Sequence, residues 1–222
     1  MKREIEVTED GSHTLFVPEL DEHYHSTHGA IRESEWVYID AGLKYRGKFP
    51  ANILEVGFGT GLNAFLSMLE ADRREAPVFY TAMEMYPLSL SEAELLNYAA
   101  LTDPAKQELF IKLHQSPWNK ACGITPNFTL RKIRADAAHP ANYPSDCFYD
   151  LVFFDAFAPD KQSQMWTPEL FEKLYDLSAD GGIITTYCAK GRVRRMFQSA
   201  GFVVERLPGP PGKREILRGR KG

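Results

Sequence analysis

Four acidic residues and a run of glycines set the chemistry open to this chain. The stretch Glu55-Val-Gly57-Phe-Gly59-Thr-Gly61 places glycines at alternate positions between apolar residues. A turn of that kind, closing a strand and opening a helix, brings backbone N–H groups close to a ligand's polar end beside the positive end of the helix dipole. Glu84 follows 23 positions after Gly61, at the end of a second apolar run, where a carboxylate can accept both hydroxyls of a ribose. Asp136, in RADAAHP, ends a third such run, and Asp155, in FFDAFAP, ends a fourth with Phe157 and Pro159 just behind it. A nucleoside-bearing cofactor beside a carboxylate that can take a hydrogen bond or a proton is the simplest reading of the set.

Spacing separates the cofactors. The glycines stand two and two apart, not two and three as in the dinucleotide-binding fingerprint. The acid at Asp136 has the place that class I methyltransferases give to the one reaching the adenine amino group, and Glu55, two residues before the first glycine, has the place of another. The pattern therefore favours S-adenosylmethionine. Methyl transfer is an in-line displacement at carbon, so the acceptor must present a lone pair opposite the sulfonium with water kept out. An alkyl amine is protonated at neutral pH and must first lose a proton. Asp155 is placed to accept that amine's hydrogen bond, with Phe157 packing on a flat acceptor base. The turn resembles the Asn/Asp-Pro-Pro-Tyr/Phe turn of amino-methyltransferases with one proline kept. Three other readings stay open on these residues: a nicotinamide-dependent oxidoreductase, an aminopropyl transferase acting on a small amine, and a non-catalytic module that binds tRNA.

The elements that must position these residues follow from periodicity and breakers. Residues 1–50 read as an N-terminal extension, with a hairpin around Asp10-Gly11, the polar loop DEHYHSTHGA, and an amphipathic stretch from Ile31 to Leu43. From Ala51 to Gly222 the pattern becomes strand, turn, helix, repeated. Strands are expected at 53–57, 78–84, 128–134, 149–155, 181–188, 202–207 and 214–219, and helices at 61–73, 88–100, 104–114, 167–178 and 190–200. Continuous apolar strands such as LVFF need cover on both faces. The expectation is an α/β fold, a doubly wound, mostly parallel seven-stranded Rossmann-like sheet whose last two strands form an antiparallel hairpin.

A chain of 222 residues with 44% hydrophobic content can bury a sizeable core. No apolar run reaches membrane-spanning length and the N-terminus lacks the build of a secretion signal, so a cytoplasmic protein with no membrane partner is expected. Cys122, Cys147 and Cys188 are widely spaced and read as reduced packing thiols. The histidines of the polar loop lack a firm further ligand, so no metal is expected; the loop, with Tyr24 and His25, reads as a substrate-facing lid. Net charge is −4, yet residues 181–222 hold ten Lys/Arg against two Glu. Such a basic segment can hold phosphates whatever the net charge.

Over nearly its whole length the chain resembles the methyltransferase domain of MnmC-type proteins and their free-standing MnmD-like relatives. DGSHTLF, DEHYHSTHGA, ILEVGFGTGLNAF, DLVFFDAFAPDKQSQMWTPELF, ITTYCAKGRVRRMFQSAGF and GPPGKREIL carry the resemblance. It implies methyl transfer from S-adenosylmethionine to the amine of 5-aminomethyl-2-thiouridine at the tRNA wobble position. It also implies that Gly57, Gly59 and Gly61 hold the methionine end, Glu84 the ribose and Asp136 the adenine, with Asp155 and Phe157 by the acceptor amine. Arg192, Arg194, Arg195, Lys213 and Arg214 become candidates for anticodon-loop phosphates while an unstacked base enters the pocket. Bifunctional members add an FAD-dependent domain, for which 222 residues leave no room.

Overall fold

A computed structural model describes residues 2–222. The N-terminal hairpin forms as its turn residues dictate. Strands β1 (Glu4–Val7) and β2 (His13–Val17) pair antiparallel around Asp10-Gly11, and a short β3 (Glu22–His23) extends them to a three-stranded sheet. Helix α1 (Ala30–Ser34) runs on into a π-helix over Glu35–Lys44. This rarer winding tends to occur near functional sites, and here it carries Tyr38 into the core.

The main body follows: β4 (Ala51–Val56), α2 (Leu62–Arg74), β5 (Val78–Glu84), α3 (Leu90–Glu94), α4 (Tyr98–Thr102), α5 (Gln107–Gln115), β6 (Ala121–Thr125), β7 (Phe128–Arg134), β8 (Tyr149–Phe154), α6 (Pro168–Leu177), β9 (Ser178–Thr186), α7 (Gly191–Ser199), β10 (Val203–Pro208) and β11 (Glu215–Arg220). The sheet runs β10-β11-β9-β8-β4-β5-β7-β6. The central pairs β9-β8-β4-β5-β7 are parallel, while β11 pairs antiparallel with β9 and with β10. The seven expected strands are all present. An eighth, β6, pairs antiparallel with β7 at one edge; ACGIT is short, contains glycine and lacks clear alternation, so it gives little strand signal.

The helix expected over 88–100 is two helices. A capping box of Ser89 and Glu92 starts α3. The break before α4 falls at Asn97, whose side chain accepts from His13 N at 2.8 Å and donates to Gly11 O at 2.9 Å. Tertiary bonding to the N-terminal hairpin thus overrides a continuous helical pattern.

Alternation along the strands sorts the core into two layers. Ile53, Leu151 and Phe153 face α2, α5 and the π-helix; Leu54, Val56, Val152 and Phe154 face α6 and α7. Strand β4 lies between β5 and β8, from which the chain leaves in opposite directions. This is the switch point of a doubly wound sheet, where ligands bind beyond the carboxyl ends of the strands.

Candidate active site

The switch point opens into a cavity of about 530 Å³, within the range of small-ligand sites. The β4–α2 turn forms its floor. Gly57 has φ +96°, and a Cβ there would lie 2.7 Å from the Asp155 carbonyl oxygen, so only glycine lets the ends of β4 and β8 approach. The Gly57 and Phe58 amides donate to Met83 O at 3.1 and 3.0 Å. Gly59 N donates to Glu84 Oε2 at 3.0 Å, and Tyr86 N to Glu84 Oε1 at 2.8 Å, which holds the Glu84 carboxylate at the end of β5 with lone pairs to spare. Asp136 Oδ1 accepts from Ala138 N at 2.9 Å and reaches the same cavity.

Asp155 stands at the end of β8, on the cavity wall. Each carboxylate oxygen has its own donor: Tyr38 OH at 2.7 Å on Oδ1 and Asn63 Nδ2 at 2.8 Å on Oδ2. Burial raises its carboxyl above the ordinary aspartate value, while His25 nearby and the two donors work against that rise. The result is an ordered carboxylate of heightened basicity. Phe157 follows, with Tyr24 edge-on to it at a centroid distance of 5.0 Å. Arg3 Nε donates to Tyr24 OH at 3.0 Å, so the N-terminal segment braces this aromatic pair.

The sequence-predicted residues divide by position. Gly57, Gly59, Glu84, Asp136, Asp155, Phe157, Tyr24, His25 and Lys213 line one cavity. Glu55 and Gly61 do not line it. Glu55 shares the strand face of Ile53 and points into the α2 layer, and Gly61 backs onto His114 and the Phe58 ring. Arg192, Arg195 and Arg214 are exposed and outside the cavity, and Arg192 pairs with Asp160. Lys213 instead pairs with the buried Glu33 at 2.7 Å, its Nζ 4.9 Å from the Tyr187 ring centroid. The loop histidines bond to neighbours: His23 to Glu6, His28 to Glu9, and His25 Nε2 to Thr60 Oγ1 at 2.8 Å. His25, expected on a substrate-facing lid, is 7% exposed and lines the cavity. Among the described residues no cluster of three or more His, Cys, Asp or Glu has the arrangement of a metal site. Of the cysteines only Cys188 is buried; Cys122 is partly exposed and Cys147 exposed, so packing accounts for one of the three.

Tyr38, Asn63, Thr60, Glu33 and Tyr187 belong to the site and were not anticipated from the sequence. Asn63 was within reach of that reading, since a polar residue two places into a helix that opens on a ligand turn faces the ligand side. Tyr38 carried no such signal.

Residues 124–222 match a family described as S-adenosyl-L-methionine-dependent methyltransferase. Over these residues, under half of the chain, the protein is similar to these methyltransferases. It is 34% identical over 209 residues to the tRNA 5-methylaminomethyl-2-thiouridine biosynthesis bifunctional protein MnmC of Pseudomonas savastanoi pv. phaseolicola, covering 88% of this chain and 31% of that protein. To the protein of the same name from Pseudomonas fluorescens strain Pf0-1 it is 33% identical over 219 residues, covering 90% and 32%. The chain thus spans about a third of the length of these relatives. Among solved structures, MNMC2 from Aquifex aeolicus superposes with a TM-score of 0.80 at 25% identity, covering 98% of this chain and 70% of that one. Spermidine synthase from Thermotoga maritima, with a TM-score of 0.53 at 13% identity, shares the fold alone.

The methyltransferase cavity fits its cofactor on chemical grounds. Glu22, Glu33, Glu84, Asp136 and Asp155 outnumber Lys161 and Lys213 along the walls, which suits a cationic sulfonium and an amine. The glycine floor leaves backbone close at hand, and the two acids beyond β5 and β7 match the hydroxyls and amino group of adenosine.

Proposed function

We propose that this methyltransferase methylates the primary amine of a 5-aminomethyl-2-thiouridine at the tRNA wobble position. The observation that carries the reading is that Asp155, an ordered carboxylate with both oxygens already donated to, shares one cavity with the glycine turn, Glu84 and Asp136. The names of the similar bifunctional proteins point the same way.

On this reading Gly57 and Gly59 receive the methionine end of S-adenosylmethionine, Glu84 the ribose hydroxyls and Asp136 the adenine amino group. The bound cofactor supplies an electrophilic methyl group on a sulfonium. Asp155 accepts an N–H of the substrate amine, orients its lone pair and takes up the proton that the ammonium form must lose. The cavity acids would balance the positive charge that methyl transfer would pass from the sulfonium to the amine. Phe157 and Tyr24 pack on the extruded base and keep water out. Arg195 and Arg214, with Arg192 released from Asp160, hold phosphates of the anticodon loop. The chain then works in the cytoplasm alongside its tRNA.

Single-turnover assays on aminomethyl-tRNA with Asp155→Asn, paired with S-adenosylhomocysteine calorimetry, test this reading. The expected result is lost turnover with cofactor binding intact; full turnover would remove Asp155 from the chemistry.

A further inference from the structure

Lys213 has no part in the chemistry described above, yet its side chain lies in the cavity. Of the two cavity lysines, Lys161 pairs with Asp21, which is not part of the lining, whereas Lys213 pairs with Glu33, which is. Glu33 is 6% exposed. Its Oε2 accepts from Ser26 N at 2.8 Å; its Oε1 lies 2.7 Å from Lys213 Nζ without an aligned hydrogen bond. The same Nζ stands 4.9 Å from the centroid of the Tyr187 ring, a range at which an aromatic face attracts a cation. The far end of that ring is fixed beside the reacting centre, because Tyr187 OH donates to Ala156 O at 2.9 Å, next in the chain to Asp155. Glu33 and Tyr187 thus form a subsite for one primary ammonium. The group in it, an ammonium on a methylene, is also the group that an aminomethyl base carries.

The backbone around Lys213 does not depend on that contact. Lys213 N donates to Pro210 O at 2.9 Å and Gly209 N to Arg214 O at 3.1 Å, which closes the turn, and Trp36 Nε1 donates to Pro208 O at 2.8 Å at its base. The turn therefore stays folded while the flexible lysine stem swings out. A buried carboxylate stripped of its cation is costly, so the exchange is cheapest when another ammonium takes the place.

We propose that Lys213 is an internal stand-in for the substrate: its ammonium fills the subsite of Glu33 and Tyr187 in the free protein, and the aminomethyl ammonium of the incoming base displaces it. Glu33 and Tyr187 then hold the amine in its charged form beside Asp155, which takes the proton before the amine reacts. Swapping one ammonium for another leaves the cavity charge unchanged and favours a base that bears an amine over one that does not. The inference rests on the substrate reading above and names the residues that select its amine.

The test compares Kd for tRNA carrying 5-aminomethyl-2-thiouridine with Kd for tRNA carrying 2-thiouridine at the same position, since that ratio cancels the phosphate contacts. Relative to wild type, the preference for the amine should rise about threefold or more in Lys213→Met, which removes the competitor, and fall about tenfold in Glu33→Gln, which removes the charge. Lys213→Arg keeps the ion pair, and hence the fold, but its fork holds a carboxylate more firmly, so the preference should fall about threefold. S-adenosylhomocysteine affinity should be unchanged in all three. A mere strut between the C-terminal hairpin and the N-terminal segment predicts the same direction of change for Lys213→Met and Glu33→Gln, and no loss for Lys213→Arg; either result would overturn the proposal. A second readout needs no tRNA. Ethylammonium chloride should raise the Tm of Lys213→Met more than equal sodium chloride does, by filling the emptied subsite, and should show no such excess in wild type. Equal shifts in the two proteins would also overturn it. Wild type that leaves the aminomethyl-tRNA unmethylated would count against the proposed substrate, while the ethylammonium result would still judge the subsite.

Discussion

Asp155 joins three parts of the structure at the site. A π-helix from the N-terminal segment, the first turns of α2 and the end of β8 all meet at its two oxygens. Replacing it with asparagine keeps the shape but removes the acceptor charge; kcat should fall by about 100-fold or more while S-adenosylhomocysteine still binds. Glu84→Ala should do the reverse, weakening that binding by about 10-fold to 100-fold, because Glu84 anchors both the Gly59 and the Tyr86 amides. The positions of Asp155, Glu84 and Asp136 were legible in the sequence because each acid ends an apolar run. Glu55, placed by motif two residues before the first glycine, is buried on β4 and does not line the cavity. Period-two alternation with Ile53 already put it on the helix-covered face, which is a stronger physical argument than its distance from a glycine. Tyr38 was out of reach, since nothing local ties a residue in a polar-flanked helix to an acid 117 positions away.

At the scale of elements, α5 meets the glycine turn through His114, whose Nε2 donates to Thr60 O at 3.1 Å. Burial, with the Lys132 charge nearby, lowers its pKa to about 4 from 6.5. A depressed base is neutral in the fold and protonated in the unfolded chain between those values, so stability is lost as pH falls from 6.5 toward 4. The loss amounts to about 3 kcal/mol at most. Urea unfolding at pH 7 and pH 4.5 should show a smaller drop for His114→Gln than for wild type; equal drops would mean that His114 does not titrate this way. The turn itself is sterically tight at one residue. Gly57→Ala must push a methyl into the Asp155 carbonyl from a left-handed backbone, and should cost both stability and cofactor binding. Strand order and helix cover were readable from periodicity because the sheet is buried on both faces. The α3–α4 break was not, because Asn97 is drawn out of helix by Gly11 and His13, partners far away along the chain.

Across the whole molecule, charge is divided. The cavity walls are acidic, while the segment after Gly181 is basic and presents Arg195 and Arg214 to solvent. The sequence showed that division but not that Lys213 turns inward to Glu33, a pairing made only when the hairpin after β10 folds against the N-terminal segment. Replacing Arg192, Arg195 and Arg214 with alanine should weaken tRNA binding and flatten its dependence on salt by about one unit of slope for each phosphate no longer neutralised, with cofactor affinity unchanged. An unaltered slope would put the phosphate-binding residues elsewhere. The central claim, a primary amine on an extruded wobble base held by Asp155, is tested most directly by following the methyl group. The protein is incubated with methyl-labelled S-adenosylmethionine and tRNA carrying 5-aminomethyl-2-thiouridine, and the digested nucleosides are identified by mass spectrometry. The account predicts label in 5-methylaminomethyl-2-thiouridine; label in any other nucleoside, or in none, would contradict it.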